Sequence, residues 1–246
     1  MLRAFERFGS TAIPMHMALY NIPLSIANRF HIPLIVWGEN SAFEYGSSSD
    51  AHSGFRLTAE WIRTYGVTHG TTAIDWISRD LSTKDLVAYF GPSEAELEGN
   101  CMHAIFLGYY LRWDPDETCR IAKKNGFRVD ERVRTGYYNF ADIDDNFISI
   151  HHWMKWLKFG FTRLFDNLSL EIRNGRITRD DAVHIIRTTG DQIPREDIAS
   201  FCDFAGISAD HFYVIAEKFR NLNIWSRDSR GVWRITDFLI PDWNWS

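Results

Sequence analysis

The chain has 246 residues, 45% hydrophobic and 24% charged, with a formal net charge of −5. That composition fits a soluble globular protein with room for a substantial core, and it excludes a global basic field that would draw in nucleic acid. Cys101, Cys119 and Cys202 are too few and too scattered for a disulfide framework or a zinc site.

The first ten residues, MLRAFERFGS, alternate charged and apolar side chains and lack the apolar core of a signal peptide. No apolar run approaches the roughly 20 residues that span a bilayer. The expected compartment is the cytoplasm. Residues 11–30 read as a helix capped by Ser10 or Thr11, with Pro14 in the first turn and Pro23 kinking or splitting it. Leu34–Trp37 follows, an apolar run typical of a strand covered on both faces in a parallel sheet. Gly38 stops it, and Glu39, Asn40, Glu44 and Tyr45 come next. In open α/β sheets ligands bind beyond the carboxyl ends of strands, so this polar crowd is a candidate site for ribose or sugar hydroxyls, or for Mg²⁺ on a nucleotide. The competing reading is a buried strand with an ordinary polar turn.

Residues 55–66 and 71–90 carry helix-like stretches, the first with Thr58 as cap, and residues 91–100 read as a loop. Ala104–Tyr110 has the character of a second buried strand. A helix then opens with Asp114 and Pro115 and closes at Gly126. The longest helix is expected from Asp142 to Asn167, with Asp142, Asp144 and Asp145 in its first turn at the positive end of the macrodipole. On it, His151, Lys155, Lys158 and Thr162 form a polar stripe, read first as a solvated face. His151 and His152 point about 100° apart on a helix and cannot share a metal as i, i+4 ligands do. Short helices opening at Thr178, Pro194 and Ser208 follow, and the tail brings four of the ten Trp back onto them.

Arg163, Arg173, Arg176 and Arg179 gather around the expected end of the long helix. They suit bidentate phosphate contacts, or equally a helix C-terminus attracting cations. GxxxxGK[ST], GxSxG and HExxH are absent, and no metal site is expected.

Four strings then carry a resemblance: NIPLSIANRFHIPLIVWGENSAFEYG, IFLGYYLRWD, KNGF and KFGFTRLFDNLSLEIRNGRITRDDAV. Together they resemble the N-acetyl sugar amidotransferases of lipopolysaccharide and pseudaminic- or legionaminic-type biosynthesis, over about residues 11 to 220. That family is similar to the PP-loop ATP pyrophosphatases. The resemblance implies an α/β fold: a partial doubly wound parallel sheet in residues 1–135, followed by a mostly helical region in 136–246. It implies ATP with Mg²⁺ and conversion of the N-acetyl group of a nucleotide-linked sugar to an acetamidino group. A glutaminase subunit and a cyclase-like barrel subunit are the implied partners, supplying ammonia. Nucleotide or substrate contacts fall on Gly38, Glu39, Asn40, Glu44, Tyr45, Tyr109, Arg163, Asp166 and Arg173. The family's Ser-Gly-Gly-x-Asp-Ser loop does not occur in these residues, which correspond to the C-terminal two thirds of its pattern. The chain alone is therefore expected to fold without turning over, and the alternative is a non-catalytic scaffold that binds partners.

Overall fold

A computed structural model describes residues 1–38 and 54–245. They form two compact units: Ala12–Trp113, and Met1–Thr11 together with Asp114–Ser246. In chain order the helices are α1 (Leu2–Phe8), α2 (Ile13–Phe30), α3 (Ala59–Tyr65), α4 (Glu94–Gly99) and α5 (Pro115–Lys124). They continue with α6 (Ile148–Phe159), α7 (Arg163–Arg173), α8 (Arg179–Thr189), α9 (Arg195–Ala205) and α10 (Ala209–Glu217). The strands are β1 (Leu34–Trp37), β2 (His103–Phe106), β3 (Trp225–Arg227) and β4 (Trp233–Ile235).

In the Ala12–Trp113 unit, β1 and β2 pair in parallel, Leu34 opposite His103 and Trp37 opposite Phe106. The other edge of β2 meets Phe55–Leu57 running the opposite way, with Leu57 N–H donating to Ala104 O and Phe106 N–H donating to Phe55 O. Among the described residues this parallel sheet has two strands, and no doubly wound sheet is seen. Nor is β1 covered on both faces. Trp37 is buried with Tyr20, Leu24, Ala27, Trp61 and Phe106, whereas Leu34 and Val36 are 51% and 48% exposed. Alternate strand residues face opposite ways, so a single packed layer shields only one of the two sets.

Three helix expectations need correction in this unit. α2 runs through Pro23 without a break, and Ala12, not Ser10 or Thr11, stands at its N-cap. The donor lost at Pro23 is outweighed by burial of Tyr20, Leu24 and Ala27, each large side chain contributing about 1.5–3 kcal/mol. The stretch 71–90 holds only two short 3₁₀ turns, Ala73–Trp76 and Val87–Tyr89. Asp75 and Asp85 there accept from the backbone N–H and hydroxyl of Thr72 and Ser82, a local competition that favours turns over helix. Residues 94–99, expected as loop, form α4, because Ser93 and Glu96 make a reciprocal capping box.

In the other unit, α1, α6, α9 and α10 bury Phe5, Ile150, Met154, Leu157, Phe201, Phe212 and Ile215 in one core. The tail does pack back: Trp156 meets Trp225, Trp243 and Phe238 at ring separations of 5.0, 5.3 and 5.5 Å. The Arg220 guanidinium lies over both Trp225 and Trp233, at 4.6 and 4.9 Å. The long helix expected over 142–167 is two helices. Gly160 adopts φ 76°, the left-handed cap that ends α6, and Thr162 precedes the first residue of α7. Asp142, Asp144 and Asp145 lie before α6, outside any helix. Thr58, Asp114, Thr178 and Ser208 cap their helices as expected.

Candidate functional site

In the Ala12–Trp113 unit two of the sequence-predicted residues, Gly38 and Tyr109, lie at the carboxyl ends of β1 and β2. Gly38 is exposed directly after β1, and Glu39, Asn40, Glu44 and Tyr45 lie outside the described residues. Tyr109 sits in the 3₁₀ turn Leu107–Tyr109 that follows β2 at once. Its ring is 5.7 Å from Phe55 and 5.1 Å from Tyr110, and all three residues are exposed. Backbone bonds hold them there: Phe106 N–H to Phe55 O at 2.9 Å, and Tyr110 N–H to Leu107 O at 3.0 Å. The Arg56 guanidinium lies 5.3 Å from the centre of the Phe55 ring. Three exposed rings, inclined by 52° and 76° to one another, and a cation thus gather at this strand end. Phe55, Arg56 and Tyr110 were missed from sequence because the antiparallel approach of residues 55–57 to β2 is a long-range event.

In the helical unit Arg163, Asp166 and Arg173 do not come together. Arg163 is the first residue of α7 and Arg173 the last, so about 15 Å of helix separates them. Arg163 is buried, with its Nε 3.3 Å from Asp142 Oδ2. The other oxygen of Asp142 is 3.9 Å from His152 Nε2, and His152 Nδ1 is 3.4 Å from Thr135 Oγ1. Gly136, at φ 71°, lets the chain pass close to this group, since a Cβ there would lie 2.2 Å from Asn167 Oδ1 and 2.9 Å from Arg163 Cγ. Asp166 pairs with Lys155, and Arg173 is exposed. The polar stripe is not a solvated face. His151 Nδ1 lies 3.0 Å from Ser10 Oγ, Thr162 is buried, and Lys158 donates to the carbonyls of Phe8 and Gly9 at 2.6 and 2.9 Å. Burial pushes the Lys158 ammonium down to about 8.

A second ionic group closes the far end of α7. Arg176 grips both oxygens of Glu171, at 2.5 and 2.6 Å, and reaches Asp114 at 2.9 and 3.0 Å. The Tyr138 hydroxyl donates to Glu171 as well. Burial works to raise the Glu171 carboxyl, but the hydrogen bonds from Arg176 and Tyr138 outweigh it and hold the group below its usual range. Burial and the carboxylate together push Tyr138 well above the usual phenol value. The expected phosphate-binding arginine cluster is therefore corrected for two of its members: Arg163 and Arg176 are engaged with the protein's own carboxylates, one group at each end of α7. A groove of ≈ 430 Å³ beside α9 is lined by Asp130, Glu196 and Asp197 as well as by Arg132, Arg134 and Arg195. Its charges balance, so it is no phosphate cradle.

Residues 131–239 match a family described as LPS biosynthesis protein WbpG-like, C-terminal domain. The match takes in the Asp142–His152–Arg163 group, Glu171 and Arg176, and relates that stretch to proteins of lipopolysaccharide biosynthesis. Among curated proteins nothing matches the chain. Among the described residues no helix is long and apolar enough to cross a membrane.

Proposed function

We propose that this chain supplies substrate and partner binding to an ATP-dependent amidotransferase of bacterial surface polysaccharide biosynthesis. The reaction converts the N-acetyl group of a nucleotide-linked sugar to an acetamidino group. The observation that carries the reading is the WbpG-like match over residues 131–239. The strand-end group of Phe55, Tyr109 and Tyr110 adds a second, chemical support, because exposed rings stack on the base or sugar face of a sugar nucleotide. Arg56 stands beside it as a cation for a phosphate. Gly38 directly follows β1, and in this reading Glu39, Asn40, Glu44 and Tyr45 are further substrate contacts.

An amide carbonyl is a poor electrophile until its oxygen becomes a good leaving group, and ATP supplies that activation when bound. The described strand-end residues offer rings rather than a glycine loop of backbone donors, so they do not by themselves fit ATP with Mg²⁺, and no step is derived through either. In the proposal both belong to the complete enzyme, and a glutaminase and a cyclase-like barrel deliver ammonia. Dry delivery keeps it unprotonated and nucleophilic. One observation favours a purely structural part for the helical unit: Arg163 and Arg176 are engaged with Asp142, Glu171 and Asp114. On that second reading the chain is a partner-binding scaffold.

Calorimetric titration of the purified chain with UDP-N-acetylglucosamine, UDP and N-acetylglucosamine, each alone, separates the two. The proposal expects binding of the sugar nucleotide, weakened by Tyr109→Ala and kept by Tyr109→Phe. No binding of any of the three supports the scaffold. Pyrophosphate release from ATP in the presence of the sugar nucleotide and ammonia would overturn the division of labour by showing an ATP site within this chain.

A further inference from the structure

The groove beside α9 has fixed walls and unspent charges. Part of its lining is the segment 130–134. Asp130 N–H donates to Asn139 O and Asn139 Nδ2 donates back to Asp130 O, both at 2.9 Å, which clamps the start of that segment. Arg134 secures its end, donating to Asp145 O at 3.1 Å and to Asn146 Oδ1 at 3.3 Å. The rest of the lining is Ile193, Pro194 and the first turn of α9, where buried Ser149 donates to Asp197 Oδ2 at 2.5 Å. Among the described residues the side chains of Arg132, Arg195 and Glu196 make no hydrogen bond and no ion pair, although all three line this groove. Arg195 acts only as a charge on the neighbouring Asp191 carboxyl. The exposed Arg120 and Arg234, by contrast, are paired with Glu117 and Asp228.

We infer that this groove binds a free α-amino acid with an aliphatic side chain. Three arginines and three carboxylates line it, so a lone anion meets as much repulsion as attraction, and so does a lone cation. A zwitterion uses both signs at once. Arg195 and Glu196 are consecutive, their Cα atoms about 3.8 Å apart, so the groove presents opposite charges close together. An α-amino acid matches that spacing, because its ammonium and carboxylate stand on one carbon. The guanidiniums of Arg132 and Arg195 donate to the ligand carboxylate, a fork that suits two oxygens. Glu196 accepts from the ammonium. Val133, 46% exposed, with Ile193 and Pro194, supplies apolar surface for the aliphatic part. A volume of ≈ 430 Å³ lies within the roughly 300–1,000 Å³ of small-molecule pockets and leaves room for a side chain. The clamped walls need no ordering on binding, which removes one of its usual costs. None of this depends on the amidotransferase reading.

Ligand-observed NMR on the whole chain tests this with three probes that share one carbon skeleton: L-leucine, 4-methylpentanoate, which lacks the ammonium, and 3-methylbutylamine, which lacks the carboxylate. Each is titrated to about 10 mM, where a ligand of millimolar affinity saturates. Leucine should bind, and each single-charge analogue should bind at least tenfold more weakly. Arg195→Gln and Glu196→Gln, both exposed changes checked for folding by circular dichroism, should each weaken leucine at least tenfold. Arg227→Gln, exposed on β3, should leave it unchanged. No binding of leucine overturns the inference. So does an analogue that binds as tightly as leucine, or leucine binding that neither Arg195→Gln nor Glu196→Gln moves.

Discussion

Replacing Glu171 by Ala should cost the protein about 3 kcal/mol. The residue is 3% exposed, and the change strips Arg176 of two short bonds and the Tyr138 hydroxyl of its acceptor. Removing one partner of a buried ion pair costs about 3–5 kcal/mol when the other charge is stranded. Arg176 is not stranded, because its side chain is a quarter exposed and still reaches Asp114, which brings that part to about 1–2 kcal/mol. An unsatisfied Tyr138 hydroxyl adds about 1–2 kcal/mol. Urea unfolding at pH 7, followed by tryptophan fluorescence, measures the sum. A double-mutant cycle tests the reasoning: Tyr138→Phe should cost about 1 kcal/mol in the wild type and close to nothing once Glu171 is gone. The pH dependence is a second check. The folded carboxyls of Glu171 and Asp114 lie below their unfolded values, so their contribution is complete above the unfolded range and is lost as pH falls through the folded values. Acid sensitivity between pH 5 and pH 3 should therefore be smaller in Glu171→Ala. A loss under about 1 kcal/mol, or equal Tyr138→Phe costs in both backgrounds, would refute the account.

Gly136→Ala should destabilise by about 2–4 kcal/mol, combining a positive φ with the clash at Asn167, whereas Gly175→Ala, at a similar φ in open space, should cost about 1 kcal/mol; paired denaturation curves compare them. Lys158 titrates near 8 when folded and 10.5 when unfolded. The unfolded chain therefore binds more protons between those values, and wild-type stability should gain from this group as pH rises from 8 to 10. Lys158→Met should abolish that gain in denaturation curves taken at both ends of the range. Tyr109→Ala should weaken a sugar nucleotide by about 1–3 kcal/mol, the usual size of one stacking contact, as read by calorimetry; an unchanged affinity would remove Tyr109 from the site.

Much of the local structure was legible in the chain. Thr58, Asp114, Thr178 and Ser208 declare helix starts because a side-chain oxygen there satisfies an orphan backbone donor within three residues. The run Leu34–Trp37 announces a strand, and it pairs in parallel with β2, although one face of it stays exposed. The errors have local causes too. Gly160 outweighed a continuous apolar period, and the Ser82–Asp85 and Thr72–Asp75 pairs outweighed helix-like composition over 71–90.

The sequence alone marked the helix starts at Thr58, Asp114, Thr178 and Ser208, because those decisions turn on energies between residues one to four apart. It also made the end of the Leu34–Trp37 strand a candidate ligand site, an expectation that the titrations above test. Only the tertiary structure decided which carboxylates Arg163 and Arg176 meet. Arg163 bonds Asp142 across 21 positions and Arg176 bonds Asp114 across 62. Read along the chain, those arginines fit a phosphate site as well as a structural ion pair. The difference lies in which carboxylates folding brings to each charge, at 3.3 Å for Arg163 and 2.9 Å for Arg176.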